Sequence, residues 1–338
     1  MSSLPKPSDP AATPGGTHSI VLIGALGTIV YMLGFAAPAS GLLELTVTPM
    51  VAALAPYGYL GIDLLFIALG IWLSRMGRDA GTRAGFALAI ADAALLPILL
   101  TVALASAIGL LLALTTPASF AVVERTFSFG FGADFRDALV TTLLVIVIGS
   151  GRGFASRIFD AGVIWLALST ADRLLNLSLG LETLLATHHA AAVIFGLLLE
   201  RLWCRRADEG EQALFLLSAI AVTANAVMQA HDIGQIYGVE PRSDVLLVLM
   251  PALLLLIFAI PHFSRVLAFA QGWSLAGLEG LLLVSGPGIT ALAVTRLELP
   301  AGPTILLGLV VAFAGGKLIG TLADLIHDGI VRRLSGHS

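Results

Sequence analysis

Apolar positions along this chain gather into long runs instead of alternating over short stretches. Between arginines and Pro/Gly clusters, ten runs approach the roughly 20 residues that a membrane-crossing helix needs. They lie at 19–39, 58–76, 84–113, 136–150, 158–177, 180–203, 211–231, 243–261, 272–295 and 302–328. The stretch 42–56 is broken by Pro49 and Pro56 and reads as an interfacial piece. The pattern predicts an all-α, polytopic membrane protein of about ten helices. A polar leader covers 1–17, one helical domain 18–333 and a short tail 334–338. A secretory signal competes for the first run, because Ala37-Pro38-Ala39 resembles a cleavage site. The run is longer than the usual apolar core of a signal and follows a long leader, so it is read as retained.

Composition strengthens the membrane expectation. Of 338 residues, 57% are hydrophobic and only 12% charged, about half the usual charged share of a soluble domain. The formal net charge of −4 and the lack of a basic stripe exclude a nucleic-acid partner. The lone Cys204 excludes an internal disulfide.

The basic residues orient the runs. With the start of the chain inside, Lys6, Arg75, Arg78, Arg83, Arg152, Arg157, Arg201, Arg205, Arg206, Arg265, Arg332 and Arg333 fall on the inner side. Arg125, Arg136, Arg173, Arg242 and Arg296 fall on the outer side. This bias predicts a cell-membrane protein with both termini cytoplasmic. Ten spans divide into halves at 18–177 and 180–333, and an odd number per half implies an inverted 5+5 repeat. Leu96-Pro97-Ile98 matches Met250-Pro251-Ala252 in position, and glycine breaks follow the fourth run at Gly149–Gly153 and interrupt the ninth at Gly286-Pro287-Gly288. Broken spans at matching positions are the sequence signature of a transporter site.

The candidate chemistry is the set of polar groups falling at membrane depth, where each is costly without a partner. Asp92, His188, His189, Lys317 and Asn225 fall there, with Arg152 beside the first glycine break. Together with Gly286, Pro287 and Gly288 they form the candidate solute or ion pathway. A histidine titrates near neutrality and suits proton coupling. The expected function is therefore a multi-pass transporter or permease, with proton coupling as one mode, with the lipid bilayer and a small solute or protons as partners and no cofactor.

Two other readings remain open. One is a membrane-embedded enzyme acting on a lipid-soluble substrate, with His188, His189, His231 and Asp232 as a metal set, although no HExxH or Gly-x-Ser-x-Gly motif occurs. The other is a non-catalytic membrane scaffold subunit.

Overall fold

The computed structural model describes residues 17–31, 57–58, 60–79, 140–145, 154–175, 188–237, 240–262 and 317–323, with isolated helical positions at 96–103 and 303–329. Among them every regular element is helical. In chain order these are α1 (Thr17–Tyr31), α2 (Leu60–Asp79), α3 (Phe154–Leu175), α4 (Ala190–Trp203), α5 (Glu209–Tyr237) and α6 (Ser243–Ala259), the last closed by a 3-10 turn at Ile260–His262.

The centre of the bundle is α2 against α4. Each is buried around its whole circumference: α2 from Leu60 to Arg75, α4 from Ala190 to Glu200. A helix apolar on all sides belongs either in a core or in a membrane, and here neighbouring helices cover both. Gly70 and Gly196 mark the crossing. A Cβ on Gly70 would strike the Val193 carbonyl, and one on Gly196 would strike the Ile67 carbonyl. Only hydrogen in place of a side chain lets the two backbones meet.

Contacts along the pair run in one direction. Asp63 faces His189, the two glycines meet in the middle, and Arg75 reaches Glu200. Thus α2 and α4 are parallel. On the other side of α2, Gly27 lies against Gly61 and Leu65, and Tyr31 lies against Gly61, so α1 runs antiparallel to it.

The α4–α5 corner is determined by local chemistry. Arg206 N–H donates to the Arg201 carbonyl and Arg205 N–H to the Leu202 carbonyl, both at 2.9 Å. This double closure is a Schellman motif. Its left-handed position, usually glycine, is Arg205 at φ 53°. Three residues later Asp208 opens α5 with a capping box: its Oδ1 accepts from Glu211 N–H at 2.8 Å, and its own N–H donates to Glu211 Oε2 at 3.1 Å. The tight corner makes α5 antiparallel to α4.

The outer helices pack by one face only. On α6 the buried positions are Leu246, Met250, Leu254 and Ile257, a seam at helical spacing. On α3 the buried face is Trp165, Leu166, Ser169 and Asp172. An aromatic ladder ties three helices together: Phe195 stacks on Phe215 at 4.5 Å, Phe215 meets Phe258 at 6.3 Å, and Trp203 Nε1 donates to the Phe258 carbonyl at 3.0 Å. At the opposite end, Arg242 N–H donates to the Tyr57 hydroxyl at 2.9 Å.

These observations correct the ten-span expectation. Among the described residues, two helices, Glu209–Asp232 and Ser243–His262, are long and apolar enough to cross a membrane by length and composition. α4, at 14 residues, extends roughly 21 Å, against a hydrocarbon core of about 30 Å. α2 carries Asp63, Ser74 and Arg75 buried against its neighbours. Hydropathy alone had assigned both helices to lipid, but their apolar surface is spent inside the bundle. The ten-crossing polytopic fold, the 5+5 repeat, the obligate bilayer partner and the multi-pass cell-membrane placement with cytoplasmic termini fall together.

Candidate functional site

Two buried layers of charge cross the α2–α4 interface. The first lies at the N-terminal end of both helices. Asp63, in the first turn of α2, puts Oδ1 3.6 Å from His189 Nδ1, with the two side chains 2% and 1% exposed. That is ion-pair range and longer than a hydrogen bond. Phe66, one turn along α2, stacks on the His189 ring at 4.0 Å with an interplanar angle of 5°. His188 is half-buried, its ring centroid 6.5 Å from that of His189.

His189 occupies the N-cap of α4 without a side-chain capping bond. Because the helices are parallel, the positive ends of two helix dipoles meet in this layer. They favour an ionised Asp63 and oppose an imidazolium. Asp63 and His189 oppose those dipole effects on the histidine by pairing.

The second layer lies 12 residues further along α2. Arg75 Nε and Nη2 each donate to one oxygen of Glu200 at 3.3 Å, a two-bond fork. The Cys204 thiol lies 3.7 Å from Glu200 Oε1. Next to it, Arg201 Nη2 donates to Glu211 Oε2 at 3.0 Å, with Nε 2.7 Å from Oε1. Glu211 therefore serves the α5 cap and the α4–α5 ion pair at once.

Of the residues singled out by sequence, the structure brings His188 and His189 together at the head of α4. Asn225 is half-buried in α5, while His231 and Asp232 are exposed further along it. Lys317 is exposed on the helical stretch 317–323, where its carbonyl accepts from the Thr321 hydroxyl at 2.9 Å. Asp92, Arg152, Gly286, Pro287 and Gly288 lie outside the described residues. Among the described residues no group of three or more His, Cys, Asp and Glu is placed to hold a metal ion.

The transporter expectation is corrected here. The described charge chemistry is a set of buried salt bridges inside helix–helix contacts, within a compact helical bundle held by an aromatic cluster. Sequence reasoning missed Asp63, Arg75, Glu200 and Glu211. Arg75 was counted among the charges of the inner side, where a charge needs no partner. The Asp208-x-x-Glu211 spacing was a readable capping signal. Gln229 was also missed: it is 6% exposed, and neither amide atom has a hydrogen-bond partner.

Comparison with family models, curated proteins and solved structures finds no match.

Proposed function

We propose that this chain works by association, and that the outward face of α5 and α6 receives the same face of a second copy. The observation that carries this reading is the exposure of large aliphatic side chains on the neighbouring helices α5 and α6, denser there than on α3, where Val163, Ile164, Leu168 and Leu175 are also exposed. Val248 is 72% and Leu255 69% exposed, joined on α6 by Leu247 and Leu256 and on α5 by Leu216, Leu217 and Ile220. Contiguous apolar surface of this kind marks interaction sites. A paired identical patch is the commonest way for a chain to close on itself.

Two details support a protein surface as occupant. Pro251, inside α6, has no N–H to give the Leu247 carbonyl, which leaves that acceptor for a donor from outside the helix. The patch is bounded at the start of α6 by the exposed pair Arg242–Asp244, with Nη2–Oδ2 at 2.6 Å. Such a mixed-sign rim suits a protein interface.

The test is light scattering on the purified full chain beside Val248→Glu and Leu255→Glu, whose exposure leaves the fold intact. The expected result is a dimer for the parent and a monomer for both variants. A parent that stays monomeric overturns the reading. So does a face whose charged variants lose affinity only for phosphatidylcholine vesicles.

A further inference from the structure

The Asp63–His189 layer has a property that the association reading does not use. We propose that His189 is a proton-binding site whose occupancy locks α2 to α4. With the proton on, an imidazolium faces the Asp63 carboxylate at 3.6 Å across the helix interface. With it off, the attraction between these two side chains is lost while the carboxylate stays buried, and α2 and α4 hold each other less tightly. The flat Phe66 ring, stacked at 4.0 Å, keeps the imidazole in plane and closes one side of it to water, so protonation acts on the Asp63 contact without swinging the ring away.

The surrounding charges are few among the described residues. On α2 there is Asp63 itself and, 12 residues on, Arg75 joined to Glu200 of α4, roughly 18 Å along the axis. The turn before α4 contributes His188. From α1, packed on the far face of α2, comes Tyr31 and no charged side chain over 19–31. From α3, packed on α4, come Asp160, Asp172 and Arg173, and from α5 come Glu209, Glu211, His231 and Asp232. The Asp63 carboxylate lies within ion-pair distance of His189.

The sign follows from linkage. Burial and the two helix dipoles disfavour the imidazolium, while the Asp63 carboxylate 3.6 Å away favours it. Where the carboxylate prevails, His189 holds its proton more tightly folded than unfolded and stabilises the fold below about pH 6.5, and that stabilisation is lost as pH rises through the folded value. The bundle therefore loosens on the alkaline side. This device is internal to one copy and independent of how copies associate.

The experiment is side-chain NMR of the histidines in the full chain, paired with denaturant unfolding from pH 5 to pH 8. The parent's folding equilibrium should weaken at least tenfold across that range. In Asp63→Asn the His189 titration should move down by about one pH unit or more, and the pH dependence should flatten. His188→Gln should keep it. The proposal is overturned if His189 in the parent shows no titration between pH 5 and pH 8, or if its titration is the same in Asp63→Asn. Because the parent spectrum alone can refute it, a variant that fails to fold does not shield the idea. Light scattering on the same samples separates this outcome from any change of oligomeric state.

Discussion

Replacing Gly196 with alanine sets two effects of opposite sign against each other. In an exposed helix, Gly→Ala is stabilising by about 1 kcal/mol, because glycine gives up more backbone freedom on folding. At Gly196 the new Cβ would strike the Ile67 carbonyl, with the Ile71 amide also within 3.0 Å. Both obstacles are backbone, so no side chain can turn aside. The helices must separate by about 1 Å, and a gap of that size forfeits a quarter to a half of each van der Waals contact along the seam. Overpacking of this kind costs about 1–3 kcal/mol, occasionally more, and backbone against backbone belongs at the upper end. The net expectation is destabilisation by about 2 kcal/mol. Gly329 is the internal control: it is helical and exposed, and an added Cβ there meets nothing within 4 Å, so Gly329→Ala should gain up to about 1 kcal/mol. Urea unfolding of the two variants beside the parent reads both. If Gly196→Ala is neutral or stabilising, the close parallel crossing of α2 and α4 is wrong.

Other outcomes follow from the same geometry. Glu200→Gln leaves the buried Arg75 fork without its countercharge and should cost about 3–5 kcal/mol, whereas Arg75→Met with Glu200→Leu should recover most of that loss; denaturant midpoints of the single and double variants decide. Arg205→Gly should raise the thermal midpoint, because relief of the left-handed backbone, about 1–2 kcal/mol, exceeds what a cation gains at a helix C-terminus; a fall in the midpoint would contradict the Schellman closure. The hydrogen bond from Arg242, with the coulombic pull of the same guanidinium, holds the Asp244 carboxyl below its ordinary range. Its small stabilising share is present above the unfolded carboxyl's titration near pH 3.9 and is lost as pH falls through the lower folded value. NMR titration of Asp244 should move upward in Arg242→Ala, and also in the parent at high salt.

Much of the helical layout was legible in the chain. The apolar runs at 58–76, 158–177, 211–231 and 243–261 coincide with α2, α3, α5 and α6. What they bury against was not legible. A helix that is apolar on every side gives the same hydropathy signal in lipid and inside a bundle, so α2 and α4 were counted as spans. The run at 180–203 also hid a turn at His188–His189, because alanine and leucine around it mask the break.

The candidate site was half legible. His189 stood out as a titratable group in an apolar run. Its partner Asp63 did not, because it sits 126 positions earlier, and neither period nor spacing links the two. Lys317 drew attention for the opposite reason: an isolated lysine among aliphatics implied burial, and it is exposed.

The parallel pairing of α2 with α4 also bears on how the chain is made. Arg75 and Glu200 are separated by 125 positions. At a synthesis rate of about 5–20 residues per second, α2 leaves the ribosome roughly 6–25 s before its partner exists. During that interval a helix destined to be covered on every side has, of the described helices it packs against, only α1 to lie on. The nascent chain therefore passes through a long sticky stage, and its yield in a cell should depend on the supply of holding chaperones more than on the final strength of the bundle.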